Sequence, residues 1–175
     1  MTAGDSTEPG VTLDPVKESE AAVLANLLEL YVHDLSAVFR QVVLGADGRF
    51  GYAKLPRYFS DPDRHRAFFV RVQGRLAGFV LATHGSPAVD DPNVWDVAEF
   101  FVVRAERRRG VGSAAAALLW NTVLGPWAVR VSEGNAPALA FWRELVAEFS
   151  AGRFSELTRP SEPYPWRVFR FESTP

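Results

Sequence analysis

The chain has 175 residues, 47% of them hydrophobic, no cysteine and a formal net charge of −2. That length and apolar fraction suit one domain with a substantial core, and so small a net charge argues against broad affinity for nucleic acid. The missing cysteine excludes a disulfide framework, a thiolate nucleophile and a zinc–thiolate site; no apolar run is long enough to span a bilayer, and the opening MTAGDSTEPG lacks a signal peptide's apolar core, so a cytoplasmic protein is expected.

Met1–Gly10 is polar and reads as a disordered tail ahead of a single domain over residues 11–175. Val11–Asp14 reads as a short strand stopped by Pro15. From Glu18 a helix is expected, because Leu24, Leu27, Leu28, Tyr31, Leu35 and Val38 recur along one stripe. Gly45–Gly48 breaks it. Arg49–Asp63, punctuated by Pro56 and Pro62, reads as a loop with room for a short helical turn. Ala67–Val72 and Arg75–Thr83 read as two strands joined by the hairpin turn Gln73-Gly74. Gly85–Pro92 is a second loop.

Trp95–Val103 is short, rich in Phe and Val, and apolar on both faces, which suits a strand in the middle of a sheet. After it come Arg107, Arg108, Arg109, Gly110, Val111 and Gly112, and then a helix whose expected buried stripe is Val111, Ala115, Leu118, Leu119 and Thr122. Trp127–Val131 is the next strand. Asn135 is placed to cap a helix with Pro137 in its first turn and a stripe of Ala138, Phe141, Trp142, Leu145, Val146 and Phe149. Phe154–Leu157 and Trp166–Phe171 close the chain as strands, separated by Pro160, Pro163 and Pro165. A hairpin followed by alternating strands and helices gives a mixed α/β (α+β) sheet.

The strand–turn–helix junction has a chemical use. The first turn of a helix leaves amides unpaired and carries positive partial charge. Glycines at 110 and 112 clear space for a phosphate, and the arginines add charge. The junction is neither a dinucleotide fingerprint nor a P-loop. Arg107-x-x-Gly110-x-Gly112, after an apolar strand and before an Ala/Leu-rich helix, resembles the acyl-CoA pyrophosphate loop of the GNAT superfamily of N-acetyltransferases. Asn135-x-x-Ala138-x-x-Phe141-Trp142 resembles that superfamily's Asn-x-x-Ala-x-x-Phe-Tyr motif. The two stand in the right order, one helix and one strand apart, and the likeness is clearest from Arg66 to Phe149.

The resemblance implies a mostly antiparallel sheet of about six to seven strands, with a splayed central parallel pair and about four flanking helices. It implies acetyl-CoA as co-substrate, no metal, and a small-molecule or peptide amine as acceptor, in a monomer or homodimer. The cofactor would lie along Phe101, Val102 and Val103, with its pyrophosphate on the amides from Arg109 to Ser113 through Gly110, Val111 and Gly112. Arg107, Arg108 and Arg109 would assist, Asn135, Phe141 and Trp142 would lie nearby, and an amide near Val103 would polarise the thioester. The same residues also fit a non-catalytic acyl-CoA-binding or sensor domain, or an interaction module whose basic turn is only surface.

Glu99 is the expected base. It sits mid-strand among apolar neighbours, where desolvation favours a neutral carboxyl, and strict alternation puts it on the face of Trp95, Val97, Phe101 and Val103. With no cysteine to carry an acyl group, direct attack in a ternary complex is expected. Trp142 stands where many relatives place a tyrosine general acid, and an indole N–H cannot supply that proton; Tyr31, Tyr52, Tyr58 and Tyr164 are the candidates to replace it. Tyr31, His33 and Asp34 end the first helix and border the expected acceptor site, Tyr31 on the packed stripe and the other two off it. His33, His65 and His84 have no metal-binding spacing.

Overall fold

The computed structural model describes residues 10–175. The expected tail lies outside them except for Gly10, whose carbonyl accepts a 2.8 Å hydrogen bond from the Gln73 amide. Seven strands form one sheet: β1 Val11–Pro15, β2 His65–Val72, β3 Arg75–His84, β4 Trp95–Val102, β5 Gly125–Ser132, β6 Phe154–Arg159 and β7 Trp166–Ser173. Their order is β1-β2-β3-β4-β5-β7-β6, and β4 and β5 are the parallel neighbours. The helices are α1 Ala21–Ser36, α2 Arg57–Ser60, α3 Val111–Thr122 and α4 Ala136–Phe149. The β2–β3 hairpin turns through Gln73 at φ 50° and Gly74 at φ 76°, the paired positive angles that match the twist of antiparallel strands.

Two main cores lie on opposite faces of the sheet, and a third, smaller cluster joins Ala88, Val89 and Val94 to Ala128 and Val168. α3 and α4 cover Trp95, Val97, Phe100 and Val102 of β4, while α1 and α2 cover Ala98, Phe101 and the adjoining Val103. Strand alternation alone cannot put Val97 and Phe100 on the same face. A β-bulge does: Ala82 pairs with Val97 and Leu81 with Glu99, which leaves Ala98 as the extra residue. Glu99 therefore shares the α1/α2 face with Phe101 and Val103 but not with Trp95 and Val97, correcting the expectation of unbroken alternation. β3 lies unusually close to this strand at Gly78, where any Cβ would collide with the carbonyl oxygen of Phe101.

The helix stripes follow the sequence with two departures: α1 ends at Ser36 and its packed set is Leu24, Leu27, Leu28 and Tyr31 without Leu35 and Val38, and α3 is rotated. In α4, Trp142, Leu145 and Val146 are buried and Ala138, Phe141 and Phe149 pack against them. In α3 the buried set is Val111, Ala115, Ala116, Leu119 and Trp120, whereas Leu118 is 36% exposed and Thr122 faces solvent. Trp120, at 0% exposure, lies against Trp142, Phe149 and Phe171. The larger ring takes the core position and turns the helix away from Leu118. No described helix is long and apolar enough to cross a membrane.

Trp120→Ala is expected to cost about 3–5 kcal/mol in urea unfolding and Leu118→Ala less than about 1 kcal/mol. Equal losses would restore the stripe read from spacing alone.

Candidate functional site

β4 and β5 are hydrogen-bonded neighbours only at Trp95–Trp127 and Asp96–Ala128. Beyond those positions the strands part, and the C-terminal half of β4 has an open edge on that side. Which β4 groups face the opening follows from the β3 side. The Val103 amide donates to the Ala77 carbonyl at 2.8 Å. Residues 99, 101 and 103 thus direct their backbone groups to β3, and the amides of Phe100 and Val102 point into the gap. Val103, expected to offer its amide there, has it engaged with β3.

The turn after β4 is built to bare its amides. A short 3-10 segment, Arg104–Glu106, is followed by Arg108 at φ 59° and by Gly110 at φ 77° as the helix N-cap. Left-handed geometry at residue 110 costs a glycine nothing. The first helical hydrogen bond is donated by the Ala114 amide to the Gly110 carbonyl at 3.0 Å. The amides of residues 108–113 donate to no backbone or side-chain acceptor among the described residues. Gly112 has a different use from the one expected: a Cβ there would sit 3.3 Å from Phe141 Cζ and 3.8 Å from Phe100 Cε1. Its bare face lets α3 lie close to α4 and β4.

The arginines of the turn divide their work. Arg107 donates through Nε to the Val102 carbonyl at 2.7 Å and through a terminal nitrogen to Asp34, with its guanidinium over the Phe101 ring. Arg104 donates to the other Asp34 oxygen at 2.6 Å. Asp34 therefore meets neither solvent alone nor an amine but ties the turn to α1. Arg109 pairs with Glu106 at 3.0 Å. Arg108 makes no hydrogen bond or ion pair among the described residues and is exposed. Arg107 and Arg109 pair with protein acids while their side chains stay 41% and 63% exposed, and Arg108 is the arginine of the run without such a partner among the described residues.

Glu99 faces the opening from β4. Its two carboxylate oxygens accept hydrogen bonds from Tyr31 at 2.6 Å and Tyr52 at 2.9 Å. These donors compensate the carboxylate for water lost on burial. Spacing assigns Tyr31 to packing; in the fold it stacks edge-on against Phe79 and Phe101 and also holds Glu99. Burial first, and the nearby Glu99 charge second, push the Tyr31 and Tyr52 hydroxyls well above the usual phenol range. Tyr58, raised chiefly by burial, lies 3.2 Å from Thr83 Oγ1. His33 is exposed beside Phe50. Tyr164 packs over Gly134 and near Phe39.

At the crotch of the two strands lies a pair that the residue patterns did not reveal. Asp96, fully buried, accepts a 2.7 Å hydrogen bond from Arg130 Nε. The signal was a charge left unassigned in each of two apolar runs, Asp96 in WDVAEFF and Arg130 in WAVRV. Asn135 caps α4, accepting from the Ala138 amide at 3.3 Å, and Trp142 is buried between Phe100, Trp120 and Phe141.

Residues 26–145 match the sequence model of the acetyltransferase (GNAT) family. No curated protein matches the chain. Among solved structures, an acetyltransferase from Thermus thermophilus is 15% identical, with TM-score 0.64, and the match covers 93% of this chain and 96% of that one. An aminoglycoside acetyltransferase, AAC(6')-Ib, in complex with coenzyme A and kanamycin is 14% identical with TM-score 0.66, over 93% and 95%. A spermidine N-acetyltransferase from Vibrio cholerae in complex with CoA and spermine is 13% identical with TM-score 0.64, over 93% and 95%. At these identities the likeness is one of fold.

Burial works to raise the pKa of Asp34, but its bonds to Arg107 and Arg104 outweigh burial and hold the carboxyl below its usual value. A depressed acid adds stability above its unfolded-state pKa, about 3.9, and loses it as pH falls through the lower folded value. Asp34→Asn should lower the urea midpoint at pH 7, and the two proteins should converge as pH falls below about 4. A constant difference across that range would mean the Asp34 charge does not hold the turn.

Proposed function

The chain belongs to the acetyltransferase (GNAT) family, and from that premise we propose that it transfers an acetyl group from acetyl-CoA to a primary amine by direct attack in a ternary complex. The single observation that carries the cofactor half is the run of unpaired amides at residues 108–113 beneath the exposed Arg108. Those amides fit a pyrophosphate, because they converge at a helix N-terminus where a phosphate gains hydrogen bonds and a favourable dipole. The Phe100 and Val102 amides, on the open edge of β4, suit the pantetheine arm and the thioester carbonyl.

Glu99 carries the other half. An amine attacks only when neutral, so a group at the acceptor face must take its proton, directly or through water. Glu99 is on that face and both its oxygens are already oriented by phenols. Attack forms the C–N bond as the C–S bond breaks, and the electron pair leaves on sulfur. Tyr31, Tyr52 and Tyr58 are held as hydrogen-bond partners and pushed above the usual phenol range, which makes them poor acids toward a thiolate. Tyr164 alone of the tyrosines has a hydroxyl with no partner among the described residues. A CoA thiolate is a tolerable leaving group near neutral pH, so transfer does not require an acid at position 142.

Glu99→Gln is expected to leave the thermal shift produced by acetyl-CoA nearly unchanged while lowering kcat by about 100-fold or more. Arg108→Ala should weaken CoA binding by about 10-fold, increasingly masked as salt is raised. The deciding measurement is thiol release from acetyl-CoA against a panel of amines. Binding without release on any acceptor would mark the protein as an acyl-CoA-binding domain, and no thermal shift at all would leave the basic turn as surface.

A further inference from the structure

Arg130 is on the strand that diverges from β4. Its partner Asp96 is at the last paired position of the parallel pair, and Glu99 follows Asp96 after the bulge. Arg130 lies two residues past Ala128, on the face that Ala128 shares with Val168 and Trp166. Asp96, Glu99 and Arg130 thus flank the opening on one face of the sheet, where α1 packs beside Glu99 and the Ala88–Val94 segment packs beside Ala128. At about 3.3 Å per residue, Glu99 and Arg130 stand on opposite sides of the widening gap, each within about 10 Å along its strand of the last paired position. The electrostatics agree, since the Glu99 charge acts on Arg130 and Arg130 in turn acts on Tyr31.

The guanidinium is held in one orientation. Nε donates to Asp96 Oδ2 at 2.7 Å, and the planar group lies 4.9 Å from the centre of the Trp166 ring. The contact with Asp96 is single rather than paired. Asp96 Oδ1 is buried without a partner, and neither terminal nitrogen of Arg130 has an acceptor among the described residues. Those nitrogens are not sealed, because among the described residues the buried side-chain atoms without a partner are Asp96 Oδ1 and Trp120 Nε1 alone. The side chain is only 19% exposed. A charged, stacked fork fixed at its root and empty at its tip is suited to a carboxylate.

We propose that Arg130 binds a carboxylate on the acceptor, so that the amine presented to Glu99 belongs to an amino-acid-like or peptide-like molecule and not to a polycation. This rests on the acetyltransferase reading above. A polyamine or aminoglycoside would need several free acids. Here Asp96 is buried and engaged, and Glu29 is engaged by the Phe50 and Gly51 amides at 2.7 and 2.9 Å. A carboxylate on the acyl group is the other source of the same chemistry, but Arg130 is on the α1 side with Glu99, whereas the open β4 edge suits the thioester.

The test compares kcat/KM for α-amino acids and dipeptides with kcat/KM for their C-terminal amides, using wild-type protein and acetyl-CoA. The free acids should be preferred by about 100-fold or more. Arg130→Lys should cut that preference by about 10-fold through KM, and the double variant Asp96→Asn/Arg130→Gln, which leaves no buried unpaired charge, should abolish it. Acetyl-CoA thermal shifts on each variant verify folding. Turnover of amines with equal or greater preference for amides or polyamines would overturn the proposal and leave the acetyltransferase reading standing. Faster turnover of simple amines with succinyl-CoA than with acetyl-CoA, lost in the double variant, would move the carboxylate to the donor and also overturn it. No turnover with any amine or donor would overturn both.

Discussion

The structure depends on the parting of β4 from β5 after only two paired positions. A buried sheet ordinarily satisfies every backbone group through its neighbours. Here an internal strand keeps an unpaired edge, so its amides at Phe100 and Val102 face a gap. Such an edge is stable only if something else holds the two strands at their root. The Asp96–Arg130 pair and the stacked Trp95 and Trp127 rings do so, the rings 6.0 Å apart. The bulge at Ala98 then turns Glu99 to the α1/α2 face while keeping Phe100 and Val102 packed under α3 and α4. One inserted residue lets successive parts of the strand serve both cores and sets Glu99 beside Tyr31 and Tyr52.

The turn that follows is tied to the rest of the fold by charge more than by packing. Asp34, at the end of α1, bridges Arg104 and Arg107, and Arg107 also accounts for the last β4 carbonyl. The basic run is thus partly structural: two of its arginines pair with protein acids, while Arg108 and the amides of residues 108–113 have no partner among the described residues. Fixed amides need no reorganisation to bind a diphosphate, whereas flexible arginines would have to be ordered first.

The polar groups on the α1 face form two linked sets. Glu99 is oriented by Tyr31 and Tyr52, and Arg130 by Asp96 and Trp166. In each a charged group is fixed by neighbours and has capacity left over, with opposite sign on the two sides of the opening. The departure at Trp142 fits this economy of acids. The indole fills the core beside Trp120 and Phe100, where a tyrosine hydroxyl would need a partner.

Residue order alone determined the strands, the helices and the junction between β4 and α3, because period, glycines and caps are local properties. It also determined that Glu99 is an acid in an apolar strand and that Asn135 caps α4, since both follow from neighbours within a few residues. It misplaced the α3 stripe, because which of Leu118 and Trp120 is buried depends on ring volume meeting Phe149 and Phe171 from distant segments. Only the tertiary structure decided the bulge, the use of Asp34, Arg107 and Val103, and the pairing of Asp96 with Arg130. Each is a choice of partner across 15 to 73 residues of chain. Such a choice is made by where strands and helices dock, and no local pattern records it.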